Sequence, residues 1–363
     1  MSRSILIMAG GTGGHIFPAL AVADILRKQG WRVTWLGVPR SMEAELVPKH
    51  KYEMAWVHFS GVRGKGLLRQ LLLPFDLLVA MWQSLAAILR HRPDVVLGMG
   101  GYITVPGGMM AALLRRPLVI HEQNSIAGLS NKVLAHIAQK VLSGFPDVLP
   151  RAIWCGNPVR GDIAGLPDPQ QRYAAREGKL NVLVVGGSLG AKAINETIPQ
   201  ALALLPQEAR PNVLHQTGKQ HFEAVKQAYE RAGIKADIKP FMDEMARHYG
   251  NADLVICRAG ALTVSELAAA GVASILIPFP YAVDDHQTRN AQFLSGRGAA
   301  ILLPQNELGA EKLAQLLQDL SNDGHASVGR AREKLLAMAQ RARALAKAGA
   351  ASAVAAVCTE LAA

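Results

Sequence analysis

The sequence predicts an α/β protein of two Rossmann-like domains, each a parallel sheet with helices on both faces. Three observations carry that expectation. Short apolar runs alternate with longer helix-like stretches in both halves of the chain. The opening stretch ILIMAGGTGGHIFPAL, an apolar run that breaks into glycines and then turns helical, is echoed half-way along by VLVVGGSLGAKAIN. Between the halves lies GNPVRGDIAGLPDPQQR, residues 156–172, whose Pro/Gly content reads as a linker. A chain of 363 residues also suits two domains of ordinary size better than one.

In the first half the predicted strands are SILIMA, RVTWLG, DVVLGMG and PLVIHEQ. They are continuous apolar runs, as strands buried on both faces should be. In the second half NVLVVGG, NVLHQTG, ADLVICRAG and ASILIPFP play the same part, and HFEAVKQAYERAG between them carries helical spacing. The last sixty or so residues, rich in Ala, Leu, Arg and Lys, read as helices with basic faces. Residues 1–158 and 159–339 are the expected domains, with a C-terminal helix at about 340–363 returning to the first.

Composition narrows the function. Half the residues are hydrophobic and 18% are charged, which suits packed cores rather than disorder. Cys155, Cys257 and Cys358 lie far apart with no C-x-x-C pair, so neither a disulfide framework nor a thiolate metal site is expected, and a cytoplasmic setting fits. The apolar run after Arg3 reaches glycine too soon for a signal-peptide core. A net charge of +11 directs attention to anionic partners. With 5% aromatics and no nucleic-acid-binding signature, the expectation is a phosphorylated substrate or an anionic membrane surface, and no nucleic acid.

A strand that ends in glycines and enters a helix offers backbone N–H groups and the positive end of the helix dipole, which together attract phosphate. Both glycine loops have that context. Neither spells G-x-G-x-x-G, since Ile16 stands where the last glycine of the first loop would be needed. No acidic residue closes the following strands, which end at Gly37 and Gly218, so nicotinamide chemistry is disfavoured. Only the first loop is followed by a histidine. His15 falls in the first helical turn, facing the same space as the backbone donors, where an imidazole can serve as a base.

Taken with HEQN at 121–124, GNPVR at 156–160, CRAGALTVSELAAAG at 257–271 and DHQTRNA at 285–291, the two loops resemble the MurG family of bacterial N-acetylglucosaminyltransferases, in order from Gly10 to beyond Arg297. The resemblance implies a GT-B fold with its two domains facing across a cleft. It implies an inverting transfer of N-acetylglucosamine from UDP-GlcNAc to the 4-hydroxyl of the muramyl sugar of lipid I, giving lipid II for peptidoglycan. The second domain would hold the donor and the first the lipid acceptor, on the cytoplasmic side of the inner membrane and beside other cell-wall synthesis proteins, with no cofactor. Two other readings stay open: a UDP-GlcNAc epimerase of the same fold, and a non-catalytic module that senses nucleotide or lipid.

By that resemblance Ser188 contacts the nucleotide phosphates and Glu266 accepts hydrogen bonds from the ribose hydroxyls. Ala261, Leu262 and Thr263, continuing into Val264 and Ser265, form the loop and helix start at the diphosphate and sugar. Met242 is the apolar position whose backbone reads uracil, and Gln287 touches the sugar. Asn124, Arg160 and the glycine loop at Thr12, Gly13 and Gly14 reach the donor from outside the second domain. That same loop, with Gly100, Gly101 and Tyr102, is also a candidate cradle for the acceptor's diphosphate. His15 is the first choice of base and Glu122 the second; Glu122 could equally position His15 or a substrate hydroxyl. No D-x-D occurs, so helix N-termini and hydrogen-bond donors rather than a metal are expected to stabilise the leaving UDP.

The stretch RGKGLLRQLLLPFDLLVAMWQSLAAILRHR is broken by Pro74, Asp76 and Gln83 and is not expected to cross a bilayer. Leu68, Leu72, Phe75, Val79 and Trp82 recur at spacings of three and four, with Arg63, Lys65 and Arg69 nearby. An apolar face flanked by cations suits an anionic membrane surface. A buried helix of the sheet would account for the leucines as well.

Overall fold

The computed structural model describes residues 2–59, 67–187, 190–321 and 328–362. The chain forms two compact units, Met1–Arg160 with Lys347–Ala363, and Gly161–Ala346. Each is a parallel sheet covered by helices.

The first unit holds strands β1 (Ser4–Met8), β2 (Arg32–Gly37), β3 (Glu53–Trp56), β4 (Val95–Gly98), β5 (Leu118–Glu122), β6 (Lys140–Ser143) and β7 (Ile153–Trp154). They lie in the order β3-β2-β1-β4-β5-β6-β7. Alternate residues of the central strand serve opposite faces. Ile5 and Ile7 of β1 join Ile16, Leu20 and Trp35 on one side, while Leu6 and Met8 join Leu36, Ile103 and Ile120 on the other. The C-terminal helix Ala350–Leu361 packs along the helix Gly13–Lys28 and adds Val354, Ala355 and Cys358 to the first of these cores.

The second unit repeats the pattern with β8 (Asn181–Val185), β9 (Asn212–Gln216), β10 (Asp237–Lys239), β11 (Leu254–Cys257), β12 (Ala273–Leu276) and β13 (Ala300–Leu302), ordered β10-β9-β8-β11-β12-β13. In both sheets every pairing is parallel, and the strand order reverses between the first strand and its neighbour, β1 and β4 or β8 and β11. In open α/β sheets the crevice at the carboxyl ends of those two strands is where ligands bind. Both glycine loops leave such an end.

Residues 156–172 are not all linker. The segment from Gly161 belongs to the second unit and contains the helices Gly161–Ala164 and Pro169–Ala174. Asp168 caps the second, accepting the Gln170 N–H at 2.8 Å, with Pro169 pre-set at the first helical position. Tyr173 is then buried and Arg172 donates to the carbonyls of Ala270 and Gly271. The return to the first unit comes at Lys347 rather than near residue 340. The helix Val328–Ala344 packs on the helices Pro169–Ala174 and Ala261–Ala270, burying Leu335 and Ala339 in the second core.

Candidate functional site

In the first unit the loops after β1 and β4 touch, and glycine is what lets them. Gly100 and Gly101 have φ of +96° and +94°, a region that penalises side chains. A Cβ on Gly101 would stand 2.4 Å from the Gly10 carbonyl oxygen, and one on Gly100 would stand 2.6 Å from the His15 Nδ1. The loop after β1 is also braced from behind. The fully buried Glu43 accepts the N–H groups of Gly11 at 3.2 Å and Val38 at 3.3 Å. The Gly11 donor is therefore spent within the protein. His15 and Ile16 direct theirs to the Thr12 carbonyl. Among the described residues the N–H groups of Thr12, Gly13 and Gly14 keep no protein partner, so they are the donors this helix start offers an anion. Tyr102 stands half-buried beside Gly11, and burial with the neighbouring Glu43 charge raises its hydroxyl pKa, keeping it a neutral donor.

His15 lies in the first turn of Gly13–Lys28, half-buried, its Nδ1 2.8 Å from the Oε1 of Gln123. Among the described residues no group engages its Nε2. Glu122 is placed otherwise. Its side chain is buried, and its carboxylate accepts from the Asn124 N–H at 2.9 Å, the Gly128 N–H at 3.0 Å and the Asn131 Nδ2 at 2.8 Å. Three such donors occupy lone pairs that a base would use. Glu122 thus organises the loop 122–131 and is not positioned to take a substrate proton. Asn124 and Arg160 are half-buried members of the same unit, the first beside Glu122.

In the second unit a cleft of about 540 Å³ opens at the carboxyl ends of the strands. Gly190, Ala191 and Lys192 line it at the start of the helix Lys192–Ala203, with His221, Arg258, Phe279 and Gln287 around them. Ser188 falls outside the described residues. Arg258 is held by the carbonyls of Ile277 and Pro278, at 3.2 and 3.1 Å, and by Gln305 Oε1 at 2.6 Å, which fixes a cation at the cleft. Gln287 accepts the Phe279 N–H through Oε1 at 3.0 Å, so its amide NH₂ is the end presented to a ligand.

The helix Ala261–Ala270 starts after an extended Gly260, and Ala261, Leu262 and Thr263 are its first-turn donors. Val264 and Ser265 follow them in the same helix. The Val264 side chain is buried and its N–H bonds the Gly260 carbonyl at 2.9 Å; the Ser265 hydroxyl donates to the Ala261 carbonyl at 3.0 Å. One helical turn on, the half-buried Glu266 accepts the Tyr249 hydroxyl at 3.2 Å, and a carboxylate has capacity for further donors. Met242 is buried.

Sequence reasoning missed Arg258, Lys192 and His221. Arg258 sits directly after β11 in the quoted run CRAG, a strand end that in this architecture faces the ligand, and that was the available signal. Among the described residues no three His, Cys, Asp or Glu side chains gather as metal ligands.

Residues 5–143 match the family model described as Glycosyltransferase family 28 N-terminal domain, and residues 181–352 match the Glycosyltransferase family 28 C-terminal domain. A curated protein of Aromatoleum aromaticum is 61% identical over 99% of this chain and 98% of its own length. One of an Azoarcus species is 60% identical over the same shares. Both bear the name UDP-N-acetylglucosamine–N-acetylmuramyl-(pentapeptide) pyrophosphoryl-undecaprenol N-acetylglucosamine transferase. Among solved structures, MurG of Acinetobacter baumannii superimposes with a TM-score of 0.85 at 41% identity, over 99% of each chain.

Proposed function

The chain belongs to glycosyltransferase family 28, and from that premise we propose that it transfers N-acetylglucosamine from UDP-GlcNAc to the muramyl 4-hydroxyl of lipid I, forming lipid II. The observation that carries the chemistry is the asymmetry of two otherwise similar sites. Each unit sets a glycine loop and a helix start at its strand-order reversal, but among the described residues only the first carries an imidazole in the opening turn of that helix, whereas His221 reaches the second cleft from the segment after β9. At the comparable place the second has Ala191.

In this reaction His15 Nε2 takes the proton of the 4-hydroxyl. The oxygen attacks the anomeric carbon from the side opposite UDP, the C–O bond to the diphosphate breaks, and the configuration inverts. Thr12, Gly13 and Gly14 meet phosphate oxygens through their N–H groups, with Gly100, Gly101 and Tyr102 beside them on the acceptor side. On the donor side Ala261, Leu262 and Thr263, with Arg258, offset the charge that develops on the leaving diphosphate. Glu266 takes the ribose hydroxyls, and Gln287, Asn124 and Arg160 contact the sugar nucleotide. The test is a labelled-donor assay with and without a lipid I analogue. Label should pass to the lipid and continue to do so in excess EDTA. Conversion of the donor without lipid would mean an epimerase, binding without turnover would mean a sensing module, and a loss in EDTA reversed by magnesium would mean that a metal holds the diphosphate.

We further propose that the first unit docks on an anionic membrane, on the cytoplasmic face of the inner membrane. Its helix Leu67–His91 contains a 19-residue stretch, Leu73–His91, long and apolar enough to cross a bilayer by length and composition. Yet Ala80, Ala87 and Ile88 are buried in the core on one side of it, so a crossing would strip them from the sheet. The opposite side exposes Phe75, Leu78, Trp82 and Leu89, while Val79 is half-buried. Arg63 and Lys65, and the side chains of Leu68, Arg69 and Leu72, lie outside the described residues. The neighbouring helix Thr104–Leu113 exposes Leu113, and the next, Leu129–Leu134, exposes Leu129 and Val133 beside Lys132. Apolar side chains among cations suit an anionic interface. Phe75→Ser with Trp82→Ser should reduce sedimentation with phosphatidylglycerol vesicles, and salt should weaken native binding by screening. Unchanged sedimentation under both treatments would place the docking surface elsewhere.

A further inference from the structure

His15 is the visible end of a buried chain of hydrogen bonds whose direction can be read from its ends. At the far end, His121 lies fully buried on β5 with its Nε2 2.9 Å from the Gly156 carbonyl oxygen. A carbonyl only accepts, so that nitrogen carries a proton. Burial lowers the pKa of His121 to about 4, so the ring is neutral at working pH and its Nδ1 is a bare lone pair. The next group is the amide of Gln123. Its Nε2 stands 3.1 Å from the His121 Nδ1 and 3.0 Å from the His121 carbonyl oxygen, both of them acceptors. The NH₂ must therefore face His121, which turns Oε1 outward. The outward oxygen is 2.8 Å from the Nδ1 of His15. An amide oxygen only accepts, so the proton of a neutral His15 sits on Nδ1.

We propose that Gln123, itself oriented by His121, is a positioning residue that locks His15 as its Nδ1–H tautomer, leaving the Nε2 lone pair as the basic atom offered to the acceptor hydroxyl. The proposal rests on the reading of His15 as the base. Which ring nitrogen of a histidine is protonated is set by the bond the other nitrogen makes, and a base with its proton on the wrong nitrogen is a donor where an acceptor is needed.

The chain holds the tautomer and does not conduct the proton. When Nε2 takes the substrate proton, Nδ1–H still points at an amide that cannot accept a second proton. Beyond the amide, His121 already receives an N–H at its one lone pair. The proton must leave from Nε2. Gly100 protects the terminal contact, because a Cβ there would stand 2.6 Å from the His15 Nδ1 and 3.3 Å from the Gln123 Oε1. The Asn157 Nδ2 donates to the Gln123 carbonyl at 3.0 Å and ties down the backbone under the amide.

The tautomer is read directly by ¹⁵N NMR of histidine-labelled protein, with His15 identified from the signal lost in His15→Gln. Native His15 should show a protonated Nδ1 and an unprotonated Nε2. Gln123→Leu should move His15 toward the opposite tautomer and lower kcat by at least about 10-fold, part of the roughly 10²–10⁴-fold that a positioned base supplies. Its KM for the donor should be unchanged. Gln123→Glu restores an acceptor for Nδ1–H and should recover the native tautomer and most of the lost kcat, which a merely structural defect would not. A native His15 protonated on Nε2, or a Gln123→Leu enzyme with unchanged tautomer and kcat, overturns the lock; the native spectrum decides even if Gln123→Leu does not fold. If His15→Ala itself retains native turnover, it is the base reading that fails.

Discussion

Turnover of His15→Ala should fall by about 10²–10⁴-fold, the range a general base contributes, while UDP binding stays near the native value. The separation follows from where the groups lie. His15 is in the first unit at the start of Gly13–Lys28, whereas Arg258, Gln287 and Glu266 belong to the second. Removing an imidazole that is half-buried and, among the described residues, engaged through Nδ1 alone leaves the cores around it intact. Glu122→Gln serves as a counterpart. Its carboxylate is committed to the N–H groups of Asn124 and Gly128 and to Asn131, so its loss should lower the melting temperature as well as activity. Turnover and calorimetric UDP affinity, measured on both variants, check the assignment. A His15→Ala enzyme with near-native turnover would remove His15 from the chemistry.

Glu266→Ala is expected to act in the opposite sense, weakening UDP while sparing the fold. Hydrogen bonds to a charged acceptor are worth about 1.5–3 kcal/mol each, so loss of one should cost about 10–100-fold in affinity, and loss of two more. Tyr249→Phe is the control. It removes the hydroxyl that donates to the Oε2 of Glu266 but keeps the carboxylate, so UDP affinity should change little. Native UDP affinity in Glu266→Ala by calorimetry would exclude the carboxylate from the nucleotide site.

What the sequence made legible follows from what each element touches. β1, β4, β5, β8, β11 and β12 are paired on both sides and covered on both faces, so they had to be written as unbroken apolar runs. The strands that escaped notice are mostly the outer ones. EMAW of β3, IW of β7, DIK of β10 and AIL of β13 pair along one side only, are half exposed and are short, and so leave no periodic trace. His15 could be placed from its neighbours alone, because strand, glycines and helix start are contiguous. The lock behind it could not: Gln123 is 108 residues away, and no local pattern announces which side chains a parallel crossover brings together. The same limit explains Glu122, whose partners at Gly128 and Asn131 reveal an organising carboxylate only once the loop is folded. Residues 161–172 read as linker in sequence yet form two short helices, because proline and glycine mark a helix start as readily as a linker.

The C-terminal helix has a consequence for how the chain is made. Val354, Ala355 and Cys358 fill a core whose other members are drawn from the first third or so of the sequence. When the ribosome finishes Arg160, that core is still missing one of its walls, and roughly two hundred residues remain to be translated before the wall arrives. At about 5–20 residues per second the wait is about 10–40 s. Meanwhile the second unit, contiguous from Gly161 to Ala346, has everything its own core requires. The second unit can therefore close its core during synthesis before the first, whose core waits for a wall supplied by residues translated after the whole of the second unit.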